Sequence, residues 1–213
     1  DFDPYRPHDM ILLYERYDDA ERVYFGRLDL GGKENLRQKR VYGLSHVGKV
    51  PSRMPPQVNL SHCAMLVQTF NEKKLIIDSL KKTGHIQGRL GKEETEHIME
   101  RMEFAKKWVE EFAPEEMRFR LHDKIPKEIL TKLDMKQKES LKLLIKILKS
   151  KDYAEQDLFN EFYEICKKVE INNIDFFKGA YLTLIGKEKG PRLAGFILAI
   201  GKEKVVKLLK EIK

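Results

Sequence analysis

Apolar residues recur at helical spacing from residue 57 to the end of the chain, with polar residues between them. Apolar positions three, four and seven residues apart lie on one face of an α-helix. The pattern therefore predicts helices, and it gives no convincing strand; only Arg118 to His122 alternates briefly and is ambiguous. The predicted helical segments are residues 60–70, 73–82 and 93–112, a short helix after Pro126, and two amphipathic stretches around 141–148 and 159–166.

The C-terminal stretch predicts three short helices that pack against one another. Asn172 and Asn173 are candidates for the N-cap of the first helix, and Gly186 stands where that helix would end in a left-handed turn. Gly190-Pro191 is expected to open the second helix, with proline in its first turn, and Gly201 to separate the second from the third. The charged residues 186–192 would then form a loop on the surface.

The first 56 residues are less regular than the rest. Helices are plausible over residues 9–24 and 33–45, and the proline-rich segment 51–56 marks the clearest boundary because consecutive prolines cannot continue a helix. The predicted fold is all-α: a multi-helix bundle over residues 57–213, preceded by a small mixed or irregular segment over residues 1–56. Trp108 and the pair Phe159 and Phe162 are expected in the core.

Charge narrows the choice of partner. The chain has 41 Lys and Arg against 34 Asp and Glu, a formal net charge of +7, which favours a polyanion. From Leu121 onward the positive charges are lysines except Arg192, in the loop between the first two C-terminal helices. The planar guanidinium suits phosphate oxygens and base edges. A solvated turn between helices is the simpler interpretation of the same residues.

Other chemistries find little support in the sequence. Cys63 and Cys166 are far apart and belong to no C-x-x-C pair, so we expect buried thiols in a reducing compartment and a cytoplasmic location. The histidines lack zinc-ligand spacing, and no nucleophile stands in a recognisable setting, so no metal or catalytic residue is assigned. No apolar run approaches the roughly 20 residues that span a bilayer, so no membrane partner is expected.

Both ends of the chain resemble class Ib aminoacyl-tRNA synthetases. The run from Tyr181 through Gly186-Lys-Glu-Lys-Gly-Pro-Arg-Leu is similar to the C-terminal end of the glutamyl-type and class I lysyl-type enzymes. Asp1-Phe-Asp-Pro, Leu13-Tyr-Glu-Arg-Tyr-Asp and Glu21-Arg-Val-Tyr-Phe-Gly resemble the segment that follows the catalytic core of class I lysyl-tRNA synthetases. The resemblance covers essentially the whole chain and favours the lysyl branch.

The resemblance implies a fold, a division of the chain and a partner. Residues 57–213 would be an α-helix cage that binds the anticodon, and residues 1–56 a connector, similar to a stem-contact segment, after a catalytic domain outside this chain. The implied partners are tRNA(Lys), chiefly its anticodon loop, and the parent's own N-terminal catalytic domain, with no DNA. The parent would attach lysine to tRNA with ATP and Mg²⁺, whereas these 213 residues would lack the active site and need no cofactor.

The same resemblance supplies the candidate site residues. The anticodon contacts of the glutamyl-type enzymes correspond to the loop around Gly190. Those enzymes have arginine where this chain has Tyr181, so stacking or a hydroxyl contact would replace base-edge hydrogen bonding there. The candidate RNA-binding residues are Tyr181, Lys187, Lys189, Gly190, Pro191, Arg192 and Leu193. Two alternatives stay open: a helical protein-interaction module with an incidental basic face, and the anticodon domain of a glutamyl-tRNA synthetase.

Overall fold

The computed structural model describes residue 3 and residues 5–212. Part of the Asp1-Phe-Asp-Pro motif, and the terminal Lys213, lie outside the described residues. Within them the regular structure is helical throughout, with no strand, so the all-α prediction is confirmed. The eleven α-helices of this part of the chain are α1 (Pro7–Tyr24), α2 (Gly32–Leu44), α3 (Leu60–Thr69), α4 (Lys73–Lys82), α5 (Lys92–Glu111), α6 (Lys127–Lys132), α7 (Met135–Ser150), α8 (Glu155–Val169), α9 (Asn173–Ile185), α10 (Leu193–Ile200) and α11 (Lys202–Leu209).

The helices form two compact units whose sequences interleave. Unit 1 comprises Asp1–Ala64 and His85–Pro114, and unit 2 comprises Met65–Gly84 and Glu115–Lys213. The predicted division between residues 56 and 57 rests on the proline-rich segment 51–56 and on the resemblance to a connector and a cage, and it stays a prediction. No helix of the described residues is both long enough and apolar enough to cross a bilayer.

Unit 1 is held together by buried polar groups as well as by apolar packing. Arg101 of α5 donates through Nη2 to both carboxylate oxygens of Asp18 of α1 at 2.9 Å, and through Nε to the carbonyl oxygen of Val58 at 3.1 Å. The side chains of this ion pair are only 7% and 10% exposed. Because a buried charge is tolerated only when it is paired and hydrogen-bonded, this pair fixes α5 against α1.

A second buried network joins α1, α2 and the segment that follows α2. Tyr42, 1% exposed, donates its hydroxyl to Oε1 of Glu21 at 2.7 Å. The side-chain amide of Gln57 donates to Oε2 of the same carboxylate at 2.7 Å. Both carboxylate oxygens of this fully buried glutamate are therefore satisfied, and the segment 45–59, which has no helix, is tied down at its C-terminal end.

Unit 2 is a bundle in which helices α7 to α11 surround an aromatic and aliphatic core. Phe162, Phe176 and Phe196 are almost completely buried, and Phe162 packs against Phe176 with ring centroids 5.5 Å apart. The helix starts follow local sequence rules. Asp134 accepts a hydrogen bond from the backbone of Gln137 at the start of α7, and Asn172 does the same for Asp175 at the start of α9.

The expected core aromatics are only partly correct. Trp108 is 3% exposed and Phe162 is 1% exposed, as predicted, but Phe159 is 37% exposed. The buried stripe of α8 begins at Leu158, one position earlier, so Phe159 lies at the edge of that stripe. One residue along a helix turns the side chain by about 100°, which is enough to move Phe159 toward solvent.

Candidate nucleic-acid interface

The candidate site lies at the C-terminal end of α9. This helix ends at Gly186, whose φ of 71° is the left-handed conformation predicted from the sequence, and whose N–H donates to the carbonyl oxygen of Leu182 at 3.1 Å. The chain then runs through residues 186–192, the interhelical loop, before α10 begins at Leu193. A side chain at position 186 would be strained by the backbone angle alone.

The start of the interhelical loop is anchored by two ion pairs. The ammonium group of Lys187 donates to the backbone carbonyl of Glu115 and lies 3.5 Å from that residue's carboxylate. The carboxylate of Glu188 lies 2.5 Å from the ammonium group of Lys178, which is in the middle of α9. Lys187 is consequently only half-exposed, and the negative charge of Glu188 is neutralised locally.

The end of the interhelical loop rests on Tyr181. Gly190 packs against the tyrosine ring so closely that a Cβ there would come within 2.8 Å of two ring carbons and 2.9 Å of a methyl carbon of Ile185. The tyrosine hydroxyl donates to the carbonyl oxygen of Pro191. Burial raises the pKa of Tyr181 to about 12, so its hydroxyl stays a donor throughout the neutral range.

The helix that follows starts two residues later than the sequence predicted. Pro191 was expected in the first turn of α10, but the first helical residue is Leu193 and Arg192 is its N-cap, with φ −52° and ψ 112°. The carbonyl of Pro191 is turned to Tyr181, whereas that of Arg192 accepts the helical bond from Phe196 at 2.9 Å. The expectation was wrong because a distant side chain fixes the backbone here.

The structure sorts the seven candidate residues into three environments. Lys189, Gly190 and Arg192 are exposed, and Lys187 and Pro191 are half-buried. Tyr181 and Leu193 are buried, at 8% and 3% exposure. All seven belong to one surface and its support, but the cations that face solvent without an ion pair in the described residues are Lys189 and Arg192.

A neighbouring segment, for which the sequence predicted no part in the site, also reaches this surface. The backbone N–H of His122 donates to the carbonyl of Leu184 at 2.8 Å, and its ring Nδ1 lies 3.1 Å from the carbonyl oxygen of Thr183. The ring edge faces Gly186, where an added Cβ would lie 3.2 Å from Cε1 and Nε2. The only local signal was the brief alternation from Arg118 to His122, which carries no information about a contact 61 residues away.

This surface can bind an anion and approach a flat ring. An exposed arginine and lysine can meet phosphate oxygens, and exposed backbone beside Gly190 lets a base come close. Cys63 and Cys166 are both buried, as the sequence predicted for the two thiols. Burial raises the pKa of Cys63 to about 12, so this thiol is not an activated nucleophile.

Comparison with known proteins gives the family of the chain. Residues 64–213 match the family model described as an anticodon binding domain. The chain is 35% identical to a lysine–tRNA ligase of Pyrococcus furiosus over 203 residues, covering 94% of this chain and 38% of that protein. It is 34% identical to a lysine–tRNA ligase of Borrelia garinii over 205 residues, covering 95% of this chain and 38% of that protein.

A third relative is more distant, and the chain covers a similar share of its length. A lysine–tRNA ligase of Methanopyrus kandleri is 29% identical over 211 residues, covering 94% of this chain and 37% of that protein. The chain thus spans less than two fifths of the length of each of these three relatives. With the family model covering most of its length, this chain belongs to the anticodon-binding-domain family.

Proposed function

We propose that the chain binds the anticodon loop of tRNA(Lys) through the interhelical loop, as part of a class I lysyl-tRNA synthetase. The observation that carries the proposal is the pairing of two exposed cations, Lys189 and Arg192, with a backbone that is fixed by Tyr181. Anticodon bases are unpaired, so a protein can read their edges and stack against their faces. A surface held in one conformation loses less entropy on binding them.

The candidate residues have different roles in binding, according to whether they are exposed or buried. Arg192 presents a planar fork of donors to a phosphate or a base edge, and Lys189 presents a point charge to the backbone. Gly190 lets the loop lie directly on the ring of Tyr181, because a side chain there would occupy that space, and its own backbone is exposed to an approaching base. Tyr181 and Leu193, both buried, support the loop from below, so that any direct contact from Tyr181 to RNA stays a prediction.

The activity of the longer protein is inferred from its relatives alone. Proteins named lysine–tRNA ligase align with nearly the whole chain. We extend their activity to the parent of this chain: attachment of lysine to tRNA, with ATP and Mg²⁺, in the cytoplasm where translation takes place. None of the described residues is assigned a role in that step.

The test is a binding titration with RNA hairpins that carry the lysine anticodon or an altered one. The chain should prefer the lysine anticodon, and Arg192→Ala should weaken binding by about 1–3 kcal/mol if the guanidinium meets a base. Arg27→Ala, which removes an exposed arginine of unit 1, is the control for net charge alone.

Two results would contradict the proposal. Equal affinity for every anticodon would favour a helical protein-interaction module with an incidental basic face. A preference for the tRNA(Glu) anticodon, measured side by side, would favour the glutamyl branch. Unchanged affinity for Arg192→Ala would remove Arg192 from the interface but leave the anticodon preference to be explained by its neighbours.

A further inference from the structure

His122 stands over the C-terminal turn of α9, on a segment without regular structure between residues 118 and 126. Its backbone N–H and its ring Nδ1 bond two successive carbonyl oxygens of that turn, those of Leu184 and Thr183. The last carbonyls of a helix have no partner inside the helix. His122 therefore satisfies them from outside, and its ring is held in one orientation beside Gly186.

This contact determines which ring nitrogen carries the proton. A carbonyl oxygen can only accept a hydrogen bond, so Nδ1, 3.1 Å from the oxygen of Thr183, must be the donor. In the neutral imidazole Nε2 is then an acceptor. It has no hydrogen-bond partner in the described part of the chain, and it is not enclosed, unlike the buried and unpartnered Nε2 atoms of His62 and His97.

The interhelical loop lacks a free acceptor side chain of this kind. Lysine and arginine side chains are donors only, so Lys189 and Arg192 can bond the oxygens of a base but not its ring N–H. The one carboxylate of the loop, Glu188, is paired with Lys178 at 2.5 Å. A neutral imidazole nitrogen accepts a hydrogen bond without repelling the phosphates of the same RNA.

Lysine codons are adenine-rich, so the lysine anticodon is rich in uridine. Uracil presents two oxygens on its Watson–Crick edge and, between them, the N3–H donor; in cytosine N3 is an acceptor instead. We propose that His122 reads a uracil of the anticodon by accepting its N3–H at Nε2, which rests on the proposed function of the interhelical loop. The cations of the loop and the imidazole at its start would then supply complementary halves of one recognition surface.

A purely structural role for His122, closing the end of α9, explains the two backbone contacts equally well but gives no role to Nε2, which has no hydrogen-bond partner in the described residues. Two substitutions separate the roles. His122→Asn keeps an amide N–H near the position of Nδ1, and so keeps the bond to Thr183, but it has no atom at Nε2. His122→Gln places an amide oxygen near Nε2 and loses the donor at Nδ1.

The decisive probe is 3-methyluridine, in which a methyl group replaces the N3 proton. Hairpins with the lysine anticodon, each carrying this nucleotide at one of the three anticodon positions, are titrated against the 213-residue chain and the two variants. At one position the unsubstituted chain should lose about three- to tenfold in affinity. His122→Asn should bind the unmodified hairpin weaker by a similar factor and no longer respond to the methyl group there. His122→Gln should respond, although it unfolds at a lower urea concentration.

The outcomes are distinct for the two proposals. If the anticodon is preferred but His122→Asn keeps the full response to 3-methyluridine at every position, His122 is a helix cap only and this inference is wrong. If His122→Gln loses stability and loses the response while His122→Asn keeps both, the same conclusion follows. If no hairpin is preferred over any other, the proposed function fails first and the inference fails with it.

Discussion

The hydroxyl of Tyr181 donates a hydrogen bond to the carbonyl oxygen of Pro191, ten residues further along the chain. This bond connects the body of α9 to the end of the interhelical loop, at the residue that precedes the exposed Arg192. Gly190 closes the same contact by lying on the tyrosine ring. The loop is therefore a supported surface, and its support can be tested apart from its charge.

Removing the hydroxyl of Tyr181 should make the interhelical loop more mobile without leaving a cavity in the core. Tyr181→Phe keeps the ring beneath Gly190 but leaves the carbonyl of Pro191 without its partner, which should lower the free energy of unfolding by about 1–2 kcal/mol. Urea unfolding measures this loss, and faster amide exchange in residues 187–192 would locate it. Tyr163→Phe, on the partly exposed face of α8, is the matched control and should change neither. Equal protection of the loop in both variants would argue against the supporting role.

A single methyl group at position 190 should be costly. Gly190→Ala would place Cβ 2.8 Å from ring carbons of Tyr181, so the ring or the loop must move, at a cost of about 1–3 kcal/mol. The control is Gly43→Ala in α2, where a Cβ would meet nothing within 4 Å. Alanine there should stabilise the helix by up to about 1 kcal/mol. Thermal unfolding of the two variants should thus shift in opposite directions.

The two loop lysines should differ in their contribution to RNA binding. Lys189 is exposed, whereas the ammonium group of Lys187 already bonds Glu115. Each phosphate neutralised on a single strand contributes about 0.7 to the slope of log K against log salt concentration. Lys189→Ala should reduce the measured slope by about that amount, and Lys187→Ala by less. The opposite order would mean that the contact between Lys187 and Glu115 opens when RNA binds.

Unit 1 should lose stability in mild acid because of His62. The rings of His62 and His85 stack with centroids 4.0 Å apart, and burial, then the neighbouring His85, lowers the pKa of His62 to about 4. The unfolded chain takes up this proton near the ordinary histidine value of 6.5, whereas the folded chain does not. The contribution of neutral His62 to the free energy of unfolding is therefore complete above pH 6.5, and it is lost as the pH falls from there toward about 4.

Urea unfolding at about pH 7.5 and about pH 5 measures this loss. His62→Gln should reduce the difference in stability between the two conditions, since its side chain does not titrate. His8→Gln, which removes an exposed histidine of α1, is the control. A pH dependence that is identical in His62→Gln and the original chain would exclude this histidine as its source.

The order of the helices was readable because the signals that start and end them are local. Asn172 caps the helix that follows it and Gly186 ends that helix in a left-handed turn, as predicted, since both effects depend on a few consecutive residues. The first residue of α10 was not predicted, because the backbone at Pro191 is held by Tyr181, and local propensity contains no information about that bond.

Only part of the candidate site could be predicted from the sequence, because local sequence contains no information about tertiary contacts. The charged residues of the interhelical loop are contiguous, so their pattern indicates a surface. His122 joins that surface through carbonyls of α9 that are about 60 residues away, and only the tertiary fold brings them together. The environment of Phe159 was misjudged for a different reason: two overlapping helical stripes fit the same apolar residues, and the choice between them depends on packing partners.

The ion pair between Asp18 and Arg101 sets a limit on how this protein can be shortened. The family match begins at residue 64 and so contains Arg101, but its carboxylate partner and the carbonyl of Val58 both precede that point. A piece beginning at residue 64 would leave the guanidinium of Arg101 without these partners, and α5 would lose the contact that fixes it against α1. Excision for crystallography or domain exchange should therefore retain α1, or replace the arginine with an apolar residue of similar length.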